Sequence, residues 1–225
     1  MKFQKYMAVG ILGLTMALGF SGCQSENQKN QDAYRKIGIN SMAEGDYDKA
    51  VKSFQKALDT SLGKIGAEEI DICYYKAAAQ FAKKDYDGAI ETYTSLIDYD
   101  KENANAYYLR GSVYLDTDKK DKAFKDYKNA VKYAGREYEI YEGIYENLTN
   151  KGETEEAKNY LKKALDIKPK DGADYAEQGH VYYLLEDYTQ AKSSLDRAID
   201  KDDKTALLYL AEVYNATDQQ EQGQA

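Results

Sequence analysis

The sequence predicts an all-α fold in which helical hairpins repeat along the chain and pack side by side. The first observation is a period of 34 residues, which relates Tyr107 to Tyr141 and Tyr175. A fixed period of this length is typical of stacked repeat architectures. The second observation is the composition: the 225 residues include one proline, and no stretch alternates between apolar and polar residues as a strand would. Both observations favour helices from about residue 31 onward.

The clearest unit spans residues 104–137, and its internal spacing predicts two helices. Its marker residues are Tyr107, Gly111, Tyr114, Ala123, Tyr127 and Ala130. The first three follow an i, i+4, i+7 spacing, which places them on one face of a helix, and the last three repeat that spacing. The polar segment 116–122 between them is predicted to be a turn. Gly111 and Ala123 are small enough for the two helix axes to approach closely, and the tyrosines fill the space around them.

This unit resembles the tetratricopeptide repeat, a 34-residue helical hairpin with small and aromatic residues at fixed positions. The resemblance covers nearly all of the chain after residue 30 and implies a right-handed superhelical solenoid of about five hairpins plus a C-terminal capping helix. The array is predicted over 31–216, with copies at 31–64, 70–103, 104–137, 138–171 and 172–205 and a capping helix at 206–216. The tail, 217–225, has no large apolar residue and is predicted to be disordered.

The second copy departs from the period. It begins five residues late, because Ala50 and Ala89 are 39 residues apart. The insertion lies in 61–69 and is expected to loosen or bend the stack between the first two copies. Cys73 stands where this copy would have an aromatic residue, and it is predicted to be a small buried apolar residue.

Residues 1–22 are predicted to be a signal peptide. Lys2 and Lys5 form a basic end, and the apolar run 7–20 is too short for the roughly 20 residues that span a bilayer. The Ser-Gly-Cys ending resembles a bacterial lipoprotein signal, which implies that Cys23 is lipidated, with acyl chains such as palmitate, and becomes the mature N-terminus. The alternatives are an uncleaved anchor and an ordinary signal peptide with a chance cysteine.

The lipoprotein resemblance predicts an exported protein that is lipid-anchored to the cell membrane. Because residue 24 is not Asp, that resemblance implies the outer membrane if the source has two membranes. The polar segment 23–30 is predicted to be a flexible tether. Removal of Lys2 and Lys5 with the signal changes the net charge from −8 to −10, which argues against nucleic acid as a partner because phosphates are bound by Lys and Arg.

Catalytic and metal-binding patterns are not found in the sequence. His180 is the one histidine, and a lone histidine on a helix is usually structural. No Gly-rich phosphate loop and no Cys/His set with zinc spacing is present. We therefore predict that the protein is not an enzyme and binds no metal or cofactor.

The resemblance also predicts which residues bind a partner, because in that family the first helix of each copy lines a concave groove. The predicted groove residues are Tyr74, Phe81, Tyr108, Leu115, Glu139, Glu142, Glu146, His180 and Tyr183. The first four would form an aromatic strip and the three glutamates an acidic strip beside it, a surface that fits a peptide or helix with a basic segment. The alternative is that Tyr74 and Tyr108 pack against neighbouring repeats and that the glutamates form a solvated face.

The predicted function is therefore a membrane-anchored scaffold for protein–protein interaction at the bacterial cell envelope, with a peptide or helix bound in the concave groove. One alternative is a structural component of an envelope assembly, secretion or wall-synthesis machine. A further alternative is an unrecognised enzyme or small-molecule receptor built on a helical array.

Overall fold

The computed structural model describes residues 26–61, 63 and 65–224, with side chains described as far as Thr217. The predicted signal peptide and Cys23 lie outside these residues. Within them the chain forms helices and no strand, which confirms the predicted all-α architecture of hairpins. The helices are α1 (Glu26–Ala43), α2 (Tyr47–Thr60), α3 (Ala67–Ala82), α4 (Tyr86–Tyr99), α5 (Ala104–Asp116), α6 (Lys120–Tyr133), α7 (Tyr138–Asn150), α8 (Thr154–Ala164), α9 (Gly172–Leu184), α10 (Tyr188–Ile199) and α11 (Ala206–Gln224).

The chain divides into two compact units, which are described separately. The N-terminal unit ends at Tyr133 and contains three hairpins, α1/α2, α3/α4 and α5/α6, with α2 packed on α3 and α4 on α5. The C-terminal unit begins at Ala134 and contains the hairpins α7/α8 and α9/α10, with α11 packed on both helices of the second. None of the helices in the described part of the chain is both long and apolar enough to cross a membrane.

In three of the five described hairpins a glycine on the first helix faces a large side chain on the second helix; these glycines are Gly38, Gly111 and Gly179. A Cβ atom added at Gly111 would lie 2.9 Å from the ring of Tyr127, and one at Gly179 would lie 2.6 Å from Leu195 Cγ. Such contacts are too close for any real side chain, so these crossings require glycine. The partners Tyr127 and Leu195 are fully buried, as the repeat pattern predicts.

The insertion between the first two hairpins does not separate them. Helix α2 ends at Thr60 and α3 begins at Ala67, where the backbone N–H of Gly66 donates to Glu69 Oε2 (2.8 Å). Across the contact, the rings of Phe54 and Tyr75 stack with their centroids 5.6 Å apart. The expected loosening of the stack at this point is therefore not observed.

The predicted helix limits differ from the structure at both ends. Helix α1 begins at Glu26, so residues 26–30 of the predicted tether 23–30 are helical. Helix α11 extends to Gln224, well beyond the predicted limit at Ala216 and into the segment predicted to be disordered. Both segments are polar, and polar composition without an apolar face predicts disorder. Glu, Gln and Lys are nevertheless good helix formers, so both segments can adopt the helical conformation of the residues beside them.

Helices α1 and α3 also meet through carboxyl groups, where Glu68 and Asp32 are hydrogen-bonded to each other. Burial, the hydrogen bond with Asp32 and the charges of Asp32 and Glu69 raise the pKa of Glu68 from 4.5 to about 7, against the opposing effect of Arg35. The folded protein therefore holds a proton on Glu68 that the unfolded chain releases near its ordinary pKa.

We expect the stability of the protein to fall as the pH rises from 4.5 through 7, and the Glu68→Gln variant to lack this part of the fall. The folded-state pKa of Glu68 lies above the unfolded value, so its contribution is complete below pH 4.5 and is lost as the pH passes 7. Melting temperatures measured between about pH 4.5 and 8 test this, with the exposed Glu91→Gln as a control. Parallel curves for wild type and Glu68→Gln would contradict the assignment.

Candidate partner-binding site

Three ionisable side chains of the C-terminal unit come together between α7 and α9. We call Glu142, Glu177 and His180 the carboxylate–histidine cluster. One nitrogen or carboxylate oxygen from each lies within 4.8 Å of those of the other two. His180 Nδ1 and Glu142 Oε1 are hydrogen-bonded at 2.8 Å. Glu177 and His180 stand three residues apart on α9, so both project from one helical face toward Glu142 on α7.

Aromatic rings from two helices hold the histidine of this cluster. The imidazole of His180 stacks on Tyr209 of α11, with centroids 4.3 Å apart and the planes 12° from parallel. It also stacks on Tyr183, at 6.0 Å and 17°. The side chains of His180 and Glu142 keep 17% and 10% of their surface exposed. The cluster is therefore largely shielded from water but keeps part of its surface exposed.

The electrostatic environment of the cluster is strongly negative. Burial and the carboxylates of Glu142 and Glu139 raise the pKa of Glu177 to about 7, although His180 acts in the opposite direction. Burial alone would lower the pKa of His180, but the hydrogen bond with Glu142 and the neighbouring carboxylates outweigh it, so that pKa is raised. Burial and the same carboxylates raise the pKa of the Tyr209 hydroxyl. All these shifts oppose additional negative charge, so the arrangement favours a cation.

Comparison with known proteins identifies the family. A family model described as "Tetratricopeptide repeat" matches four segments, residues 32–61, 104–136, 146–171 and 175–204, which together make up more than half of the chain. A model described as "TPR repeat" matches residues 77–118.

The chain belongs to the tetratricopeptide repeat family. The matched segments fall within the five predicted copies, and the 77–118 match joins the second copy to the third. Arrays of such repeats present extended surfaces to other proteins, so this member of the family is a protein–protein interaction scaffold.

Two curated proteins are similar to this tetratricopeptide repeat chain. Anaphase-promoting complex subunit 3 of Schizosaccharomyces pombe is 21% identical over 84% of the chain, and Tetratricopeptide repeat protein 13 of Homo sapiens is 27% identical over 63%. The chain spans 33% and 17% of the lengths of these relatives. Among solved structures, a tetratricopeptide repeat protein of Thermus thermophilus is 17% identical, with a TM-score of 0.49 over 82% of this chain and 98% of that one.

Only part of the predicted aromatic strip of Tyr74, Phe81, Tyr108 and Leu115 is exposed enough to contact a bound protein. Tyr108 and Leu115 are buried, with 6% and 2% of their surface exposed, and the Tyr108 ring packs 6.4 Å from that of Tyr127. This corrects their assignment to the groove: they lie in the interior of the N-terminal unit. Tyr74 and Phe81 are half-buried, and the Tyr74 hydroxyl donates to Asn103 Oδ1 at 2.6 Å. For Tyr108, the structure therefore agrees with the alternative interpretation, in which this side chain packs in the interior instead of lining the groove.

The predicted acidic strip is divided between three environments. Glu139 is exposed, Glu142 is buried against His180, and Glu146 is half-buried with an Oε2 that has no hydrogen-bond partner. The alternative interpretation, in which these glutamates form a face exposed to solvent, is therefore correct for Glu139 but not for Glu142. The structure joins Glu142 with His180 and Tyr183 in one site, and whether that site binds a partner stays a prediction.

Sequence reasoning missed Glu177 and Tyr209. Glu177 precedes His180 by three residues, a spacing that marks a shared helical face, but it does not occupy one of the family's groove positions. Tyr209 was assigned to the capping helix, although its ring lies against the groove histidine. The Glu-x-x-His spacing before His180 is the sequence signal for the first of these. The second depends on how α11 packs on α9, and the sequence carries no signal for it.

Proposed function

We propose that the protein is a lipid-anchored scaffold of the cell envelope that binds a basic segment of a protein partner at the carboxylate–histidine cluster. The observation that carries this proposal is the meeting of two shielded carboxylates with aromatic rings on one accessible face of the C-terminal unit. The array of tetratricopeptide repeats supplies a rigid frame, and this cluster supplies the preference for a basic side chain.

A lysine or arginine side chain fits this face for three physical reasons. The carboxylates accept charge-assisted hydrogen bonds, which contribute about 1.5–3 kcal/mol each. The rings of Tyr183 and Tyr209, which stack on His180, form an apolar wall against which the methylene groups of a lysine or arginine can pack. The cluster is partly shielded from solvent, so charge interactions are stronger there than on an open surface.

The charge outside the cluster supports the same preference. Glu139 and Glu212 add negative potential to the residues of the cluster. The sequence as a whole carries a formal charge of −8. A negative surface accelerates the approach of a basic partner and disfavours an acidic one.

Paired variants test the binding face. In Glu139→Gln/Glu177→Gln two carboxyl groups are replaced by amides at the site, and in Glu155→Gln/Glu156→Gln two are replaced on the exposed side of α8. Tagged full-length chains are purified from detergent-solubilised envelope, and stoichiometric partners are quantified by mass spectrometry. We expect the first pair to lose at least about tenfold in partner affinity, equivalent to one charge-assisted hydrogen bond. Equal capture by both pairs would contradict the proposal.

The anchoring part of the proposal rests on Cys23 and has its own test. Two acyl chains on one residue give stable membrane attachment, whereas a single chain gives marginal attachment. We expect Cys23→Ala to release the protein into the soluble fraction, as measured by fractionation and by the mass of the N-terminal peptide. A variant that remains in the membrane with residues 1–22 still attached would indicate an uncleaved anchor.

A further inference from the structure

We propose that Glu142, Glu177 and His180 form a binding site for one divalent first-row transition-metal ion. The site coincides with the proposed partner-binding cluster, but the inference does not rest on that function, since it is drawn from the ligand set of the C-terminal unit alone. The ligand atoms of the three side chains already lie within 4.8 Å of one another. Zinc bonds to nitrogen and oxygen are about 2.0–2.2 Å long, so two ligands of one ion are separated by no more than about 4.4 Å and the set needs only a small contraction.

The arrangement on the helices matches a known way of holding metals in helical proteins. Glu177 and His180 form a Glu-x-x-His pair on α9, and Glu142 projects toward them from the adjacent helix α7. Glu-x-x-His pairs combined with glutamates from facing helices bind iron and manganese in helical bundles. A ligand set that mixes imidazole with carboxylates favours zinc, iron or similar ions over magnesium and calcium, which prefer oxygen alone.

The two carboxyl groups of the cluster have no lysine or arginine partner that would compete with a metal ion. Among the described residues, no ion pair joins Glu142 or Glu177 to a lysine or arginine, and the partner of Glu142 in the cluster is His180 Nδ1 at 2.8 Å. Two carboxylates can neutralise the charge of a divalent ion, and metal binding would release any proton held by Glu177 or His180, because metal ligands must be deprotonated.

Buried polar groups without partners flank the site. Tyr138 lies one helical turn before Glu142 on α7, is 2% exposed, and its hydroxyl has no hydrogen-bond partner, while the charge of Glu177 acts on it. Glu146 lies one turn after Glu142, and its buried Oε2 has no partner either. Unsatisfied buried groups are rare and call for an explanation. Both residues lie one turn from Glu142 on α7, and around known metal sites such polar groups serve as outer partners of the ligands.

Occupation by a metal would also affect the partner. An ion on these carboxylates and a basic side chain compete for the same oxygens, so metal binding is expected to weaken capture of the basic segment. This consequence rests on the proposed function, whereas the metal site itself does not.

Calorimetric titration of the chelator-treated full-length chain with Zn²⁺ tests the site, with Mg²⁺ as the comparison ion. We expect one Zn²⁺ per chain, a higher melting temperature and no comparable response to Mg²⁺. Glu177→Gln is expected to lose at least about tenfold in Zn²⁺ affinity, whereas the exposed Glu155→Gln is not affected. Glu177→Gln keeps the side-chain shape, and its melting temperature without metal verifies that it folds.

Either of two results would overturn the proposal: no saturable binding near one ion per chain, or equal Zn²⁺ affinity in wild type and Glu177→Gln, which would indicate an adventitious ion only. Because the titration contains no partner, its failure leaves the partner-binding proposal untouched. Likewise, failure of the partner-capture experiment would not affect the proposal of a metal site.

Discussion

Tyr127→Ala is expected to lower the free energy of unfolding by about 3–5 kcal/mol, as large aromatic-to-alanine changes in cores do. Tyr127 is fully buried at the crossing of α5 and α6. Its ring fills the space over Gly111, where no Cβ can fit, and it packs 6.4 Å from the ring of Tyr108. Alanine would leave a cavity between two helices that the hairpin cannot close, because α5 already approaches as near as its backbone allows. Urea denaturation followed by circular dichroism measures the change.

Tyr133→Ala is the matched control for this prediction. Tyr133 lies on the same helix but is half-buried, and its ring stacks 6.1 Å from that of Tyr107. We expect its removal to cost no more than about 1.5 kcal/mol, since little enclosed volume is lost. Similar losses for the two variants would mean that the tyrosine at the hairpin crossing has no special role in the core.

Asp126→Ala is expected to lower the free energy of unfolding by about 3–5 kcal/mol, because it removes one partner of a buried ion pair. Asp126 accepts two hydrogen bonds from Arg110, at 2.7 and 2.8 Å, and the side chains are 4% and 16% exposed. Arg110 also donates to Thr94 Oγ1 at 2.9 Å, so the guanidinium links α4, α5 and α6. Without Asp126 a charge would remain among these helices with little water to solvate it.

An exposed ion pair of the same unit provides the comparison for Asp126. Lys101 and Asp98 are 2.7 Å apart, but each is 66% exposed. We expect Asp98→Ala to change the free energy of unfolding far less than Asp126→Ala does, as is usual for surface pairs. If Asp98→Ala cost as much as Asp126→Ala, burial would not be the source of the effect.

The hairpins could be predicted because their signals are local in the sequence. The glycines Gly38, Gly111 and Gly179 recur in phase, and each faces the large residue that the pattern predicts on the following helix. Small and large residues at a fixed helical spacing determine which faces can meet, and the fully buried alanines Ala50, Ala89, Ala123, Ala157 and Ala191 follow the same rule.

The exposure of the predicted groove could not be predicted in the same way. Tyr108 and Leu115 occupy positions that the family leaves open, yet in this chain they are buried. Whether a side chain on a first helix is exposed depends on the neighbouring helices and on the size of their side chains, and a single repeat does not contain that information. The pairing of Glu142 with His180 spans 38 residues and depends on the same neighbours.

Polar segments produced the remaining differences. Residues 26–30 and 217–224 have no apolar face, so their sequence gives no sign of the packing that usually supports a helix. Residues 26–30 form the start of helix α1, and residues 217–224 form the end of helix α11. In each case the rest of the helix contains the apolar residues. Composition distinguishes buried from solvated segments better than it distinguishes helix from coil.

Site-specific photo-cross-linking tests the central claim most directly, namely that the face around His180 and Tyr183 binds a protein. Benzoylphenylalanine in place of Tyr183 puts a reactive aromatic group beside the cluster, and the same group in place of the exposed Lys162 on α8 serves as the control. Irradiation of intact envelope is predicted to join the Tyr183 position to a discrete protein through a peptide rich in lysine or arginine, with no such product from Lys162. The same product from both positions, or a product from Lys162 alone, would contradict the account.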